Sequence, residues 1–255
     1  MALERELELA RRLAEQAGEV ALAHREGGVQ AESKADLSPV TAADRACERL
    51  IAAALEEAFP ADGLIGEEGA LRPSRSGRRW IVDPIDGTLD YLRRIPTWSV
   101  LIALEDAEGV AAGVCYLAEQ QEMYFAARGE GAFLNGRPLR ASTVARADQA
   151  LLCINALHKI GDLPWAGRLI ELMGRFGAVR SLGGCQDAML VASGRAEAWI
   201  EPHAREWDLA PLKIIAEEAG AAFFNFDGGA SVYGGNCVIA APGLAGLLRE
   251  FLGQT

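Results

Sequence analysis

The sequence predicts an α+β fold, and three observations support this prediction. The first is a pair of amphipathic helical segments at the amino end. The second is a series of β-rich segments separated by turns between residues 98 and 127. The third is a regular alternation of strand-like and helical segments after about residue 145. These patterns predict helices that flank a mainly antiparallel sheet in the first half, followed by an α/β layer.

Two helices are expected at the amino end. Small and apolar residues from Leu3 to Ala21 recur at steps of three and four, which places them on one helical face. Two glycines at residues 27–28 end that segment. A second helix is predicted from about Thr41 to Phe59, because its apolar residues share one face and the Thr41 hydroxyl can cap the first turn.

Strands dominate the middle of the chain. The apolar residues 80–82 predict a short strand that ends at Asp83. Further β-rich segments cover residues 98–105, 110–118 and 121–127. Asn135 and Gly136 form the dipeptide that favours a two-residue hairpin loop.

Strands and helices alternate in the last part of the chain. The predicted strands cover residues 150–155, 178–181, 196–200, 221–224 and 236–241. The predicted helices cover residues 164–176, 185–193, 207–219 and the carboxyl end. The change of pattern predicts two halves, residues 1–145 and 146–255.

Composition argues against several functional classes. The chain of 255 residues has 36 Asp plus Glu against 25 Lys plus Arg, so its formal net charge is −11. Such an acidic chain is unsuited to bind nucleic acid through a broad basic patch. The five cysteines include no C-x-x-C pair, which argues against a disulfide framework or a zinc ribbon. No apolar segment approaches the ~20 residues that span a bilayer, so we expect a cytoplasmic protein without a membrane partner.

The segment WIVDPIDGT (residues 80–88) carries the clearest chemical signal. Asp83 and Asp86 would repel each other at a tight bend unless a cation lay between them, and carboxylate oxygens suit Mg²⁺, Mn²⁺ or Ca²⁺. Gly87 permits a tight reversal. The amides at the start of the helical turn from Thr88 are suited to phosphate oxygens. On this segment alone, an ordinary acidic turn remains the alternative.

Three further acids have ordinary interpretations when each is taken alone. Glu67 lies in a glycine-flanked loop, and Asp44 and Asp208 each lie in the first turn of a predicted helix. Such residues are commonly solvated charges or helix caps. The three histidines are not spaced as metal ligands, which argues against a zinc site.

Four segments occur in a fixed order and span essentially the whole chain: SPVTAAD (38–44), GEEG (66–69), DPIDGT (83–88) and WDLAPLKIIAEEAG (207–220). Together they resemble the inositol monophosphatase family, within the lithium-sensitive, fructose-bisphosphatase-like phosphatases. The resemblance implies a layered α-β-α-β-α sandwich and a homodimer. It places most metal ligands in residues 1–145, Asp208 and the substrate loops in residues 146–255, and the site between the halves.

The resemblance also implies two or three Mg²⁺ ions, which Mn²⁺ can replace. The ligands implied for the first ion are Glu67, Asp83 and the carbonyl oxygen of Ile85. Those implied for the second are Asp83, Asp86 and Asp208, while Glu67 helps to hold a third ion through water.

The remaining roles that the resemblance implies concern the phosphate, the attacking water and the alcohol. The amides of Gly87 and Thr88 receive the phosphate. Asp44 and Thr88 orient the attacking water, and Glu67 belongs with them to the catalytic residues. The substrate contacts also include Gly183, Gly184, Glu201 and Asp208.

The implied activity is hydrolysis of a small phosphate monoester by a water molecule that bound metal acidifies. Inositol monophosphate is the first expected substrate, and histidinol phosphate, fructose 1,6-bisphosphate and 3′-phosphoadenosine phosphate are the alternatives. The histidinol-phosphate branch often has an acid directly after the glycine pair 183–184, whereas this chain has Cys185 there and Asp187 two residues later. The roles of these two residues, and of His203 and Arg205 in the loop before Asp208, stay open.

Three competing functions remain to be tested. Residues 85–89 also resemble the D-x-D-G-T-L signature of haloacid-dehalogenase-type phosphatases, which use an Asp as a covalent nucleophile. In this chain the two acids, Asp83 and Asp86, are three residues apart rather than two. The second competing function is that of a relative that only binds metal, and the third is that of a regulatory interaction protein.

Overall fold

The structure is a computed structural model that describes residues 3–27, 31–33 and 39–254, so Ser38 of the SPVTAAD segment lies outside the described residues. The helices are α1 Glu4–Glu26, α2 Ala42–Ala58, α3 Thr88–Arg93, α4 Leu169–Gly174, α5 Gly184–Ala192, α6 Glu206–Glu218 and α7 Pro242–Leu252. The strands are β1 Ala31–Ser33, β2 Pro39–Thr41, β3 Gly63–Gly66, β4 Leu71–Arg72, β5 Arg79–Asp86, β6 Ser99–Asp106, β7 Gly109–Leu117, β8 Glu122–Ala127, β9 Gly131–Leu134, β10 Arg137–Pro138, β11 Leu151–Ile154, β12 Ala178–Arg180, β13 Ala198–Glu201, β14 Ala222–Phe224 and β15 Cys237–Ala240. Among these helices, none is both long and apolar enough to cross a membrane.

The described elements stack in five layers. Helices α1 and α2 cover one face of a sheet with strand order β10-β9-β8-β7-β6-β5-β3-β4. Helices α5 and α6 lie between the other face of that sheet and a second sheet of order β12-β11-β13-β15-β14. Helices α4 and α7 cover the outer face of the second sheet. The predicted α-β-α-β-α sandwich is therefore confirmed.

The alternation of side chains along the strands explains these layers, since successive residues of a strand point to opposite faces. In β5, Trp80 and Val82 pack against α1 and α2, while Ile81 packs toward α5 and α6. In β13, Trp199 faces the layer of α5 and α6, while Ile200 packs with α4 and α7. Helices cover both faces of each sheet, so central strands such as β5, β6 and β13 are apolar on both sides.

Strand β5 contains a bulge that the sequence pattern did not reveal. The strand was expected to end at Asp83, but this is wrong, because it continues to Asp86. Asp83 pairs with Leu101 and Asp86 pairs with Ser99, so two residues of β5 oppose one residue of β6 between them. In a regular strand, residues three apart point to opposite faces. The extra residue in the bulge cancels this alternation, so Asp83 and Asp86 can point to the same side of the sheet. The bulge also accommodates Pro84, which has no amide hydrogen to donate to the ladder.

Two local predictions are confirmed and one is wrong. Thr41 caps α2, since its Oγ1 accepts hydrogen bonds from the amides of Ala43 and Asp44. Residues 135–136 form the loop between β9 and β10, and both have positive φ as a two-residue hairpin of this type requires. The helix predicted over residues 164–176 is instead a 3₁₀ turn, Ala166–Arg168, followed by the short α4. Gly167 and Gly174 lower helical propensity in this segment.

Helix α6 lies unusually close to β7. This close approach helps to position Asp208, which belongs to the first turn of α6. A Cβ atom on Gly113 of β7 would stand 2.5 Å from Ile214 Cγ2 and 2.9 Å from Pro211 Cα. Only glycine fits at this contact. Because α5 and α6 pack on the first sheet, the division into halves at residue 145 stays a prediction.

Candidate functional site

Three aspartates converge where the first sheet meets α6. Asp83 and Asp86 come from the bulged end of β5, and Asp208 is the third residue of α6. One carboxylate oxygen from each residue lies within 4.8 Å of those from the other two. Asp83 is buried, and the other two are half-buried. Asp83 Oδ1 accepts a hydrogen bond from the Ile85 amide at 3.0 Å, and Asp208 Oδ2 accepts one from the Arg205 amide at 2.7 Å.

The protonation of this cluster reflects its burial and its concentration of negative charge. Burial, followed by the charges of Glu67, Asp86 and Asp208, raises the pKa of Asp83 well above its usual range. Burial raises the pKa of Asp86 to about 6, and burial together with the Asp86 charge raises that of Asp208. These acids are therefore costly to ionise without a compensating cation. A set of three converging carboxylate oxygens fits a hard divalent ion such as Mg²⁺ or Mn²⁺.

A hydrogen-bonded pair lies beside the cluster. Thr88 Oγ1 is 3.3 Å from Asp44 Oδ1 and 3.3 Å from the Ile85 carbonyl oxygen, and its one proton can be donated to either. The Asp44 side chain is buried, and burial raises its pKa. Its Oδ2 accepts hydrogen bonds from the amide and the hydroxyl of Thr41, at 2.8 and 2.5 Å. The cap of α2 therefore fixes the orientation of the Asp44 carboxylate.

The loop that carries Glu67 is held by a residue that the sequence analysis missed. Glu48, a buried acid of α2, accepts hydrogen bonds from the amides of Glu68 and Ala70, each at 2.8 Å. The two bonds bracket the loop just after Glu67. Position 48 lies one helical turn after Asp44 and therefore on the same face of α2. This spacing was the signal in the sequence that could have placed Glu48 near the site.

Two neighbouring cavities open next to the carboxylates. The larger, of about 600 Å³, is lined by Glu67, Gly87, Thr88 and residues 155–159, among others. The smaller, of about 190 Å³, is lined by two metal-site candidates, Asp86 and Asp208, and by three predicted substrate contacts, Gly183, Gly184 and Glu201. Gly87, Asn155 and His203 line both. The residues that the resemblance assigned to phosphate and to alcohol therefore lie around one connected depression.

Glu201 lies at the end of β13 on the wall of the smaller cavity. The Asn155 side-chain amide donates to its Oε2 at 2.6 Å, and the His203 backbone amide donates to its Oε1 at 3.1 Å. Burial raises the pKa of Glu201 to about 7, although these hydrogen bonds oppose the shift. Asn155 was missed by the sequence analysis. Its place just after β11, at the carboxyl end of a strand parallel to β13, was the available signal.

The glycine loop before α5 is shaped by two of the four residues whose roles had been left open, Cys185 and Asp187. Asp187 accepts hydrogen bonds from the amides of Leu182 and Gly183, and the Cys185 thiol donates to the Thr97 carbonyl oxygen at 3.2 Å. Both residues therefore hold the loop in place. The φ of +147° at Gly183 favours glycine. Arg205 is exposed and does not line either cavity, so its backbone amide is its contribution to the cluster.

The raised pKa values predict that the metal-free protein becomes less stable as the pH rises. Asp86 shifts from 3.8 to about 6 and Glu201 from 4.5 to about 7. The folded state therefore binds more protons than the unfolded state in this range, and stability falls as pH rises through it. With chelator present, we expect a higher Tm at pH 5 than at pH 8. Glu201→Gln should show a smaller difference, and a wild-type Tm that is higher at pH 8 would contradict the prediction.

Comparison with known proteins gives consistent matches over the whole chain. The profile of the inositol monophosphatase family matches residues 2–253. A histidinol-phosphatase from Chlorobaculum parvum is 39% identical over 242 residues, which cover 94% of this chain and 93% of that protein. An inositol-1-monophosphatase from Mesorhizobium japonicum is 37% identical, and the alignment covers 79% and 77% of the two chains. The haloacid-dehalogenase alternative gains no support from these matches.

Comparison of the fold with solved structures agrees with the sequence matches. The structure of the extragenic suppressor protein SuhB from Bartonella henselae superimposes with a TM-score of 0.89 at 28% identity, and the match covers 98% of each chain. The profile match, the similarity to two phosphatases and this superposition agree with the layered fold and with the order of the acidic segments. The chain therefore belongs to the inositol monophosphatase family.

Proposed function

We propose that this phosphoric monoester hydrolase acts on the phosphate ester of a small polyol or amino alcohol and depends on Mg²⁺. The observation that carries the proposal is the convergence of Asp83, Asp86 and Asp208, whose carboxylate oxygens lie within 4.8 Å of one another. The hydrogen-bonded pair Asp44–Thr88 flanks this cluster. An acid cluster that is costly to ionise, a hydroxyl–carboxylate pair and an adjoining cavity are the parts that such a hydrolysis needs.

The ions would be held by the acids of the cluster. Asp83, Asp86 and Asp208 are the proposed ligands of one ion, and Glu67, Asp83 and the Ile85 carbonyl oxygen are those of another. A third ion would contact Glu67 through water. When bound, such ions acidify water and neutralise charge on phosphate oxygens.

The protein's own groups would orient the reactants. Thr88 Oγ1, by donating to Asp44 Oδ1, presents its lone pairs to a water proton, and the fixed Asp44 carboxylate is the proposed proton acceptor. The amides of Gly87 and Thr88 are the proposed phosphate donors. Gly87 has a φ of +83°, which lets the chain turn sharply from β5 into α3. Gly183, Gly184, Glu201 and Asp208 would contact the alcohol.

Two substrates are favoured by the relatives. Inositol monophosphate and histidinol phosphate correspond to the names of the two phosphatases described above. Fructose 1,6-bisphosphate and 3′-phosphoadenosine phosphate remain candidate substrates. We also propose that Mn²⁺ can replace Mg²⁺, that Li⁺ inhibits, and that the protein is a cytoplasmic homodimer.

The decisive experiment is a phosphate-release assay on these four substrates. We expect release that requires Mg²⁺, stops when a chelator is added, and is inhibited by Li⁺. Omission of the enzyme and addition of chelator are the controls. If none of the four substrates releases phosphate in the presence of Mg²⁺ or Mn²⁺, a relative that only binds metal becomes the better description.

A further inference from the structure

Asp90 is an acid of the smaller cavity that neither the sequence analysis nor the proposed metal site uses. It is the third residue of α3, is half-buried, and lines the cavity together with Thr97 and Glu201. Thr97 Oγ1 donates to its Oδ2 at 2.6 Å, which orients the carboxylate. A Cβ atom on Gly183 would stand 3.1 Å from Thr97 and 3.4 Å from Asp90 Oδ2. The glycine therefore leaves space directly beside this acid.

The charge of the cavity is not balanced on the alcohol side. The acids of the metal cluster would be compensated by cations, and the charge of Lys159 in the larger cavity acts on Glu201. Among the described residues that line this cavity, none is a lysine or an arginine. A second phosphate on the substrate would be repelled by Asp90, and a neutral polyol would leave the Asp90 charge uncompensated. A positively charged group on the alcohol would be attracted.

The wall of the same cavity contains a buried polar group without a partner. The Trp199 side chain lines it and is only 1% exposed, yet its indole nitrogen has no hydrogen-bond partner among the described residues. Its Cζ2 atom lies 4.0 Å from the position that a Cβ on Gly184 would take. A buried N–H without a partner is costly and calls for an acceptor.

We propose that Asp90 is a specificity-determining residue, which binds a cationic amine on the alcohol half of the substrate. The inference rests on the proposed function and narrows it to phosphate esters of amino alcohols. Thr97 holds the carboxylate in position through Oδ2 and leaves Oδ1 for the amine. Glu201 is a second acid of the same cavity, with its Oε2 3.6 Å from the position that a Cβ on Gly184 would take, and the glycine pair 183–184 permits the close approach.

The test compares wild type with Asp90→Asn on a cationic and a neutral substrate. Asn keeps an oxygen that can accept from Thr97 and removes only the charge. We expect the ratio of kcat/KM for histidinol phosphate to that for inositol 1-phosphate to fall about tenfold, mainly through KM. Asp90→Glu should restore part of the ratio. Asp227→Asn, which changes an exposed acid outside the cavity, should leave it at the wild-type value.

Calorimetric binding of histidinol to the same variants separates the two proposals. Weaker binding to Asp90→Asn than to wild type supports the inference even if no substrate is turned over, in which case only the proposed function fails. If substrates are hydrolysed but the ratio and the histidinol affinity are the same in Asp90→Asn, the inference is overturned and the proposed function stands. A wild type that prefers inositol 1-phosphate also overturns it.

Discussion

Asp208→Asn is expected to lower kcat at least about a hundredfold, because it removes one of three converging carboxylates from the proposed metal site. The fold should be retained, since an Asn oxygen can still accept the hydrogen bond from the Arg205 amide. The metal-free protein should become more stable at pH 8. Burial and the charge of Asp86 make ionised Asp208 costly there, and Asn carries no charge.

Three measurements check this expectation together: phosphate release, calorimetric Mg²⁺ binding and the Tm with and without Mg²⁺. The expected pattern is lost turnover, weaker Mg²⁺ binding and a smaller Mg²⁺-induced rise in Tm, combined with a higher Tm in chelator. Asp227→Asn, a change in an exposed loop, is the matched control. Turnover near that of wild type, or a lower metal-free Tm with unchanged Mg²⁺ binding, would contradict the assignment of Asp208 as a metal ligand.

Thr88→Val is expected to reduce kcat about a hundredfold or more while leaving Mg²⁺ affinity close to that of wild type. The substitution keeps the side-chain volume and removes the hydroxyl that lies 3.3 Å from Asp44 Oδ1. Asp44 itself is a poorer target, because its Oδ2 accepts two hydrogen bonds from Thr41 at the cap of α2. A change at Asp44 would therefore disturb both the cap and the proposed proton acceptor.

Thr88→Ser is the matched control, because it restores the hydroxyl and should recover most of the activity. The pH dependence of kcat supplies a further readout. If Asp44 accepts the proton it must be ionised, so loss of the Thr88 hydroxyl should shift the pH at which kcat falls on the acidic side. Equal kcat values for the Val and Ser variants would remove the Thr88 hydroxyl from the reaction. Loss of Mg²⁺ binding in Thr88→Val would assign the residue to the metal site instead.

Much of the candidate site could be anticipated from local patterns. Asp83, Asp86 and Asp208 were recognised from short segments whose order resembles one family, and the structure brings their carboxylates together. Asp90 and Asn155 were not recognised. Their significance depends on the residues to which they are hydrogen-bonded, namely Thr97 and Glu201. These contacts join segments that are far apart in the sequence or follow a turn.

The sequence by itself determined the α+β class, because alternating strand residues and one-sided helices allow few ways to bury their apolar faces. The layered sandwich was implied by the resemblance of its acidic segments to one family. The sequence also determined the family and its acidic segments. Only the tertiary structure decided how Asp83 and Asp86 come to share one side of β5, since the bulge appears only in the pairing with β6. The same holds for the unbalanced charge around Asp90, because burial and neighbouring charge are properties of the assembled cavity and not of any single segment.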